Sequence, residues 1–566
     1  MNKKFRSLIS IILALVTIFT LTACGSKTDT PNDDNSSNTK SSKREVTDED
    51  YIVRVTGSFP LYTDPGVGSS AIEAAAQINL YDALVFADID GSIKPHLAES
   101  WTMSDDGMKY TFKIKEGVKF HSGNDLTAED VAFSFNRMLA IGEGFAYLYM
   151  PYVKDVIEVD DYTVEVNMKQ NFGPFINTLV RMYVVDKELV MENLEEGSYG
   201  EFKDYGKDYL LTHDAGSGPY TIQEMQLEEH LLARQFDGYW QEFSENSPKY
   251  FKILSASDPV TVRTLMSRRE LEIVDEWQSV DNILELSKLE GIKVPLMQAG
   301  AMVEMYMNTK IAPTDDIHVR KALSYLIDYE QARTVIYPDT NQSVGCVSSV
   351  YKGHNDDVFQ YSYNLEKAME ELKQSKYYGE FDKYPITCAW SADVPDEEKL
   401  SLMLQANAAQ AGLKIDIAKT QFGMLIQQAQ TVETSPHITI MYPGDSYNEA
   451  GSVLALRYHS STTGTFTQFE WLLNEKVDKD IEDALSTMNE EERMNKYKKI
   501  QAFIVDLCPT IWVVECPERR AYQANYLEWP EADAAMEGKL NAPIMGRFLY
   551  FRTMKVFPEK RLELLK

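Results

Sequence analysis

The stretch IKPHLAESWTMSDDGMKYTFKIKEGVKFHSGNDLTAEDVAFSF, from Ile93 to Phe135, decides the fold class of this chain. Within it, KYTFKIK alternates polar and apolar residues, which predicts a strand with one buried face. LTAEDVAFSFNRML then predicts a helix, because Thr127 can cap it and the acids Glu129 and Asp130 favour its positive end. Apolar residues recur along it at helical spacing, namely Val131, Phe135, Met138 and Leu139.

The same mixture of strands and helices continues along the chain. DDIHVRKALSYLIDYEQARTVIY predicts one long helix that begins at Asp315 or Asp316. Its buried stripe is formed by Val319, Leu323, Leu326 and Ile327. The 566 residues exceed the roughly 250–300 that one hydrophobic core supports, and no internal repeat is present. The sequence therefore predicts a large α/β protein with at least two lobes built from interleaved segments.

The amino terminus has the charge-then-apolar order of an export signal. Lys3, Lys4 and Arg6 precede an apolar stretch that polar residues interrupt, so it is a poor permanent membrane span. Its end, LTAC, resembles a bacterial lipobox, which predicts a lipoprotein signal peptide over 1–23 and a palmitate-type lipid on Cys24. The alternative is an ordinary secretory signal with a cysteine there by chance. Residues 24–47 hold almost nothing apolar and are predicted to be a disordered tether.

The net charge and the cysteine spacing exclude several classes of binding partner and of metal site. The chain has 56 Lys and Arg against 87 Asp and Glu, a net charge of −31, which argues against nucleic acid and against adsorption to anionic lipid. No CxxC occurs, so a zinc knuckle is not indicated. The strand-like PTIWVVE between Cys508 and Cys516 would hold those two sulfurs too far apart to bridge. Cys346, Cys388 and this pair are therefore predicted to be buried free thiols.

Signatures of catalysis are missing. The chain has no HExxH, no GxSxG, no Walker loop and no GxGxxG after a strand. His354 and Asp356 could begin a metal site, but two lone ligands in a turn are more often solvated. GSGPY, residues 216–220, favours a turn over a phosphate cradle. We expect no enzyme activity, no cofactor and no metal, and these absences oppose the alternative of a secreted hydrolase.

The Ile93–Phe135 stretch closely resembles the signature of family 5 of the bacterial extracellular solute-binding proteins, the oligopeptide- and dipeptide-binding lipoproteins of ABC importers. GSGPYTIQEM and MNTKIAPTDDIHVRKALSYLID match further landmarks of that family in the same order. The resemblance covers roughly Tyr51 to Val556. It implies an α/β fold of the periplasmic-binding-protein-like type II, with two large hinged lobes and a smaller extra lobe.

By the same resemblance, lobe I comprises 48–80, 210–300 and 517–566, the extra lobe comprises 81–209, and lobe II comprises 301–516. The two hinge strands are expected near AMVEMYMN and TIWVVECPE.

The implied function is capture of a peptide by lobe closure and delivery to the permease and ATPase of an importer. The protein is expected to be a monomer, lipid-anchored on the outer face of the cytoplasmic membrane. Alternatives are another solute (an oligosaccharide, an opine-like conjugate or a chelated metal) or a peptide-signal receptor.

The stretch MYPGDSYNEAGS, residues 441–452, contains the proposed capture site. Asp445 matches the family's aspartate that pairs with the α-ammonium of a peptide, although it could also be a turn cap. Ala450 stands in place of the family's proline, and Ser446 resembles an insertion. Pro443 has no N–H where relatives offer backbone hydrogen bonds to an extended peptide.

Aromatic residues are expected to line the cleft, although each could equally be core. Those that the resemblance indicates are Tyr442, Phe422, Tyr147 and Phe59. Ala429 and Gln430 stand where some relatives carry basic residues. A ligand carboxylate must therefore be met elsewhere or stay solvated.

Overall fold

The computed structural model describes residues 44–444 and 446–566. The predicted signal peptide, Cys24 and most of the predicted tether therefore lie outside the described residues. Residues 46–566 form one compact unit. Over the part of the chain that is described, no helix combines the length and apolar character needed to cross a membrane.

Three sheets form the framework. The first sheet has four strands, in spatial order Ile52–Gly57, Tyr250–Ser255, His230–Gln235 and Tyr220–Gln226. The second sheet has four antiparallel strands, Ala98–Met103, Lys109–Ile114, Thr163–Met168 and Val153–Asp160. The third sheet has six strands, Asn341–Gln342, Thr510–Glu515, Met302–Met307, Ile438–Met441, Ile386–Ser391 and Ile415–Thr420. Each sheet takes its strands from one of the three predicted lobes, whose boundaries remain a prediction.

Helices and short strand pairs cover these sheets. The α-helices are Ala71–Leu80, Ala128–Ile141, Phe175–Thr178, Lys187–Glu192, Pro259–Ser267, Val280–Leu286, Ile317–Tyr325, Tyr329–Gln331, Leu365–Gln374, Asp396–Gln410, Phe422–Gln428, Ala450–Tyr458, Glu475–Ser486, Glu490–Leu507, Pro530–Met536 and Pro558–Leu564. The two-stranded pairs are Val85–Ala87 with Ile93–Pro95, Ile292–Lys293 with Tyr522–Gln523, Leu296–Met297 with Glu518–Arg519, and Leu527–Glu528 with Lys555–Val556.

The stretch that decided the fold class has the predicted structure. The strand Lys109–Ile114 buries alternate side chains in the same hydrophobic core as the helix Ala128–Ile141. That helix begins with a capping box, in which the carboxylate of Asp130 accepts from the N–H of Thr127 at 2.9 Å. Of its predicted apolar stripe, Val131, Phe135 and Met138 are buried and Leu139 is half-buried.

The prediction of one continuous helix from Asp315 to Tyr337 is wrong. The helix Ile317–Tyr325 ends, and a second turn begins at Tyr329. The carboxylate of Asp328 accepts from the N–H of Gln331 at 2.9 Å, so Asp328 caps a new helix start instead of continuing the old one. The predicted buried stripe of Val319, Leu323, Leu326 and Ile327 is confirmed, because all four side chains are fully buried.

The four cysteines in the described part of the chain are free, as predicted. Cys346, Cys388 and Cys508 are buried, and Cys516 is only partly so. The strand Thr510–Glu515 separates Cys508 from Cys516. Burial raises the pKa of the Cys516 thiol to about 11, which keeps it protonated at neutral pH.

Two strands that are far apart in the sequence lie side by side in the third sheet. Met302–Met307 pairs antiparallel with Thr510–Glu515, and the N–H of Cys516 donates to the carbonyl of Ala301 at 2.9 Å. The pairing then continues through Leu296 with Arg519 and through Ile292 with Gln523. These paired strands contain the stretches that the sequence analysis expects to form the hinge.

A buried charge cluster lies against this pair of strands. Glu304, Arg457 and Glu470 are all fully buried. Arg457 Nη1 lies 3.1 Å from a carboxylate oxygen of Glu304, and the Thr510 hydroxyl donates to Glu470 Oε1 at 2.7 Å. Burial raises the pKa of Glu470 to about 8, although the Thr510 hydrogen bond acts in the opposite direction. Glu470 is therefore a neutral acid in the folded protein at pH 7.

This raised pKa predicts a pH-dependent stability that Glu470→Gln removes. A carboxyl group that binds its proton more tightly when folded stabilises the protein below its unfolded pKa, and that stability is lost as pH rises from about 5 to about 8. The amide of Gln mimics the neutral acid. We expect the urea midpoint of Glu470→Gln to exceed that of the parent protein by a margin that grows between pH 5 and pH 8. A margin that is constant with pH would contradict the assignment.

Candidate functional site

The segment from Tyr442 to Glu449, here the 442–449 segment, connects a buried strand to a helix. The strand Ile438–Met441 pairs with Met302–Met307 in the middle of the third sheet, and the helix Ala450–Tyr458 follows. Pro443 cannot donate to a ladder, and the strand ends just before it. The segment is thus positioned by the end of a central strand, where ligand clefts of α/β proteins commonly lie.

The predicted ammonium ligand, Asp445, lies outside the described residues, whereas the residues on both sides of it are described. Ser446 is buried, and its carbonyl accepts from Nε of Arg181 at 3.2 Å. Its hydroxyl shares a hydrogen bond with the phenol of Tyr147. A Cβ built on Gly444 would lie 3.5 Å from the sulfur of Met545. Residues from the predicted extra lobe and from the C-terminal part of predicted lobe I therefore converge on this segment.

Aromatic rings surround the start of the segment. The ring of Tyr442 lies edge-on to Trp277 at 6.3 Å and to Tyr337 at 6.1 Å between centroids. Burial raises the pKa of Tyr442, so the phenol stays neutral and can donate or accept a hydrogen bond. Trp277 remains 41% exposed and Tyr147 40% exposed, which leaves apolar surface for a ligand to cover.

The other two predicted aromatic residues are also partly exposed. Phe422 begins the helix Phe422–Gln428, is 39% exposed and packs edge-on against Phe466 at 5.9 Å. Phe59 follows the strand Ile52–Gly57 and is half-buried. Their contact with a ligand remains a prediction.

The structure adds one residue that sequence reasoning passed over. Glu449 is fully buried and forms an ion pair with Arg493, with N–O distances of 2.8 and 3.1 Å. The phenol of Tyr497 donates to the same carboxylate at 3.0 Å. The side-chain amide of Asn177, from the predicted extra lobe, donates to it at 3.5 Å. This arrangement anchors the end of the 442–449 segment, and only its acid-after-turn position in the sequence could have indicated it.

A second set of contacts joins the helix Val280–Leu286 to the helix Asp396–Gln410. The carboxylate of Asp396 accepts from the N–H of Val280 at 3.1 Å. Lys399 lies 3.0 Å from both Asp396 and Asp281. Asp281 is largely exposed, so the Lys399–Asp281 ion pair contributes little to the stability of the fold and can open with a small loss of free energy.

The described part of the site holds no cluster of metal-ligating side chains. Among residues 44–444 and 446–566, no group of three or more His, Cys, Asp or Glu side chains is arranged to hold a metal ion. The arrangement consists of partly exposed aromatic rings, buried hydrogen-bond donors and a segment held by several parts of the chain. Such a site can enclose and orient a solute.

Comparison with known proteins identifies the family of this chain. The model of the bacterial extracellular solute-binding proteins, family 5, middle region, matches residues 92–465. The dipeptide-binding protein of Escherichia coli (strain K12) is 24% identical over 466 residues, which cover 77% of this chain and 84% of that protein. Heme-binding protein A of Haemophilus influenzae is 24% identical over 489 residues, covering 81% and 86%.

A solved structure shares the fold. The periplasmic binding protein DppA from Helicobacter pylori, in complex with the peptide STSA, superposes with a TM-score of 0.75 at 20% identity, covering 89% of this chain and 98% of that one. The predicted periplasmic-binding-protein-like fold is confirmed. Because the family model spans well over half of the sequence, the chain belongs to family 5 of the bacterial extracellular solute-binding proteins.

Proposed function

We propose that this protein captures peptides between its lobes and delivers them to the permease of an ABC importer. The observation that supports this most directly is the position of Gly444 and Ser446, the neighbours of Asp445. Arg181, Tyr147 and Met545, from other parts of the chain, converge on them. A solute held at this point is contacted from several sides and favours the closed arrangement of the lobes.

Asp445 is the group that we assign to the α-ammonium of the peptide. An ammonium enclosed between lobes loses its water and needs a fixed opposite charge. Partly exposed rings such as Trp277 and Tyr147 provide walls that tolerate different side chains. Pro443 removes one backbone donor, so recognition relies more on the charged end of the peptide and less on strand pairing.

A non-peptide solute is the second candidate. The missing donor at Pro443 weakens the case for an extended peptide, and one relative is named a heme-binding protein. Mass spectrometry of the solute retained through native purification separates the two candidates. A solute without a free amine would favour the second.

The same proposal includes a lipid anchor. The lipobox-like LTAC would place a lipid on Cys24, and the polar tether of 24–47 would hold the binding lobes within roughly 25–30 Å of the membrane. A permease in that membrane could then receive the solute from a monomeric binding protein.

Asp445→Ala is expected to weaken peptide binding by about 2–5 kcal/mol, because it leaves a buried ammonium without a counter-charge. Calorimetry with alanine peptides of increasing length and with their N-acetyl forms tests this role. The parent protein should prefer the free amine, and the variant should lose that preference. Equal affinities of the parent protein for both forms would remove Asp445 from the role.

Glu449→Gln is the matched control, since it removes an acid four residues away. We expect it to destabilise the fold by about 3–5 kcal/mol, because the charge of buried Arg493 is left unpaired. Thermal unfolding measures this loss. Below the melting temperature, the variant should still prefer the free amine over the N-acetyl form. A stable Glu449→Gln protein that cannot distinguish the two would instead place Glu449 in the ligand site.

Cys24→Ser tests the anchor. The parent protein is expected to incorporate labelled palmitate and to sediment with membranes, whereas the variant should do neither. Immunoblots of membrane and medium fractions provide the measurement. A parent protein that is found in the medium without lipid would favour the ordinary secretory signal.

A further inference from the structure

The helices Val280–Leu286 and Asp396–Gln410, here the 280–286 helix and the 396–410 helix, belong to two different hydrophobic cores. The 280–286 helix buries Ile283 in one core, whereas the 396–410 helix buries Leu404 in another. In the sequence, the expected hinge strand Met302–Met307 lies between them. Contacts between the two helices therefore join two separately packed parts of the chain, which a hinge allows to separate.

Polar groups make the contact between the two helices. Asp396 Oδ2 accepts from the N–H of Val280 at 3.1 Å. Its other oxygen, Oδ1, lies 3.0 Å from the ammonium of Lys399, which also lies 3.0 Å from the carboxylate of Asp281. Asp396 is almost fully buried, whereas Lys399 and Asp281 keep much of their side chains in solvent. Because partly exposed ion pairs contribute little free energy, this junction can open and close reversibly.

The 280–286 helix is connected to the aromatic wall of the candidate site. Trp277 lies just before this helix, and its ring packs edge-on against Tyr442 at 6.3 Å. Asp275 accepts from the N–H of Trp277 at 3.0 Å and from the side-chain amide of Gln278 at 3.0 Å. Gln278 accepts in turn from the side-chain amide of Asn282, within the helix, at 2.5 Å. Since hydrogen bonds connect Trp277 to the helix, a separation of the two helices would withdraw Trp277 from Tyr442.

We propose that Asp396 and Lys399 form a latch that holds these two parts of the chain together and sets how long a captured solute is retained; this rests on the proposed function. The latch acts on the equilibrium between the open and closed forms, so it changes the affinity for different solutes by the same factor. Its small free energy suits a carrier that must also release its solute, because a strong interaction would keep the closed form populated at all times.

The first experiment measures the separation of the two helices without any ligand. Leu284 and Leu402 are each about half exposed, one on each helix, so Leu284→Cys and Leu402→Cys can carry spin labels. The background contains Cys24→Ser and Cys516→Ser, and the other three described cysteines are buried. Double electron–electron resonance then reports the distance between the labels. The protein with an intact latch is expected to show one main short distance.

Charge reversal tests the latch itself. Lys399→Glu places a third negative charge beside Asp281 and Asp396, and it should move part of the population to longer label distances. Asp281→Lys, added to Lys399→Glu, restores an attractive pair and should return the distances to those of the intact latch. Lys288→Met is the matched control, because it breaks an ion pair with Glu285 that does not join the two helices. Equal distances with and without Lys399→Glu, or no recovery on adding Asp281→Lys, would overturn the proposal.

Peptide binding provides the second measurement. By calorimetry, Lys399→Glu is expected to bind trialanine and hexaalanine roughly threefold to tenfold more weakly than the parent protein, by the same factor for both. The added Asp281→Lys should recover most of this affinity, and Lys288→Met should lose none. A loss confined to one of the two peptides would make Lys399 a ligand contact and would overturn the latch. If the parent protein binds neither peptide, the proposed function fails, and the label distances still decide whether the latch exists.

Discussion

The antiparallel pairing of Met302–Met307 with Thr510–Glu515 is the constraint on which the rest of the structure depends. Both strands are wholly buried, and they connect distant parts of the chain. On its other side, Met302–Met307 pairs with Ile438–Met441, which delivers the 442–449 segment to its position. Past their ends, the paired strands continue into Leu296 and Arg519, close to the first sheet. A change in the angle between these strands would move the walls of the site relative to the segment.

The fold stabilises buried charged groups in three ways. The Glu449 carboxylate is matched by Arg493 and by hydrogen bonds, so it fixes the segment. Glu470 is neutralised by a proton, because a buried carboxyl group without a full ion pair is more stable in its protonated form. Arg181 has no carboxylate partner among the described residues, and its Nε donates instead to the carbonyl of Ser446. An arginine cannot lose its proton in a protein, so this charge is stabilised by a backbone carbonyl and by the ring of Phe145.

Much of the fold could be predicted because its signals are local. The capping box of Thr127 and Asp130 and the alternation in Lys109–Ile114 depend on neighbours within a few residues. The break at Asp328 was missed because the apolar stripe continues through it, while a single side-chain cap decides the geometry. Arg181 and Glu449 could not have been found in this way. Their contacts are with residues 265 and 44 positions away, and nothing in the local pattern encodes such pairings.

The charged and aromatic groups around the 442–449 segment determine which ligands the site can distinguish. In the proposed function, the charge that meets the ammonium of a peptide is indifferent to the side chains of that peptide. Trp277 and Tyr147 are partly exposed, and such rings offer apolar surface to ligands of many shapes. Pro443 reduces the contribution of backbone pairing, which in an extended peptide would grow with each added residue. On the proposed function, the discrimination that remains comes from the fixed charge that meets the ammonium of the ligand. Such a site would select for a free amino end, and it would obtain that selectivity from rigid charge placement instead of from tailored side-chain pockets.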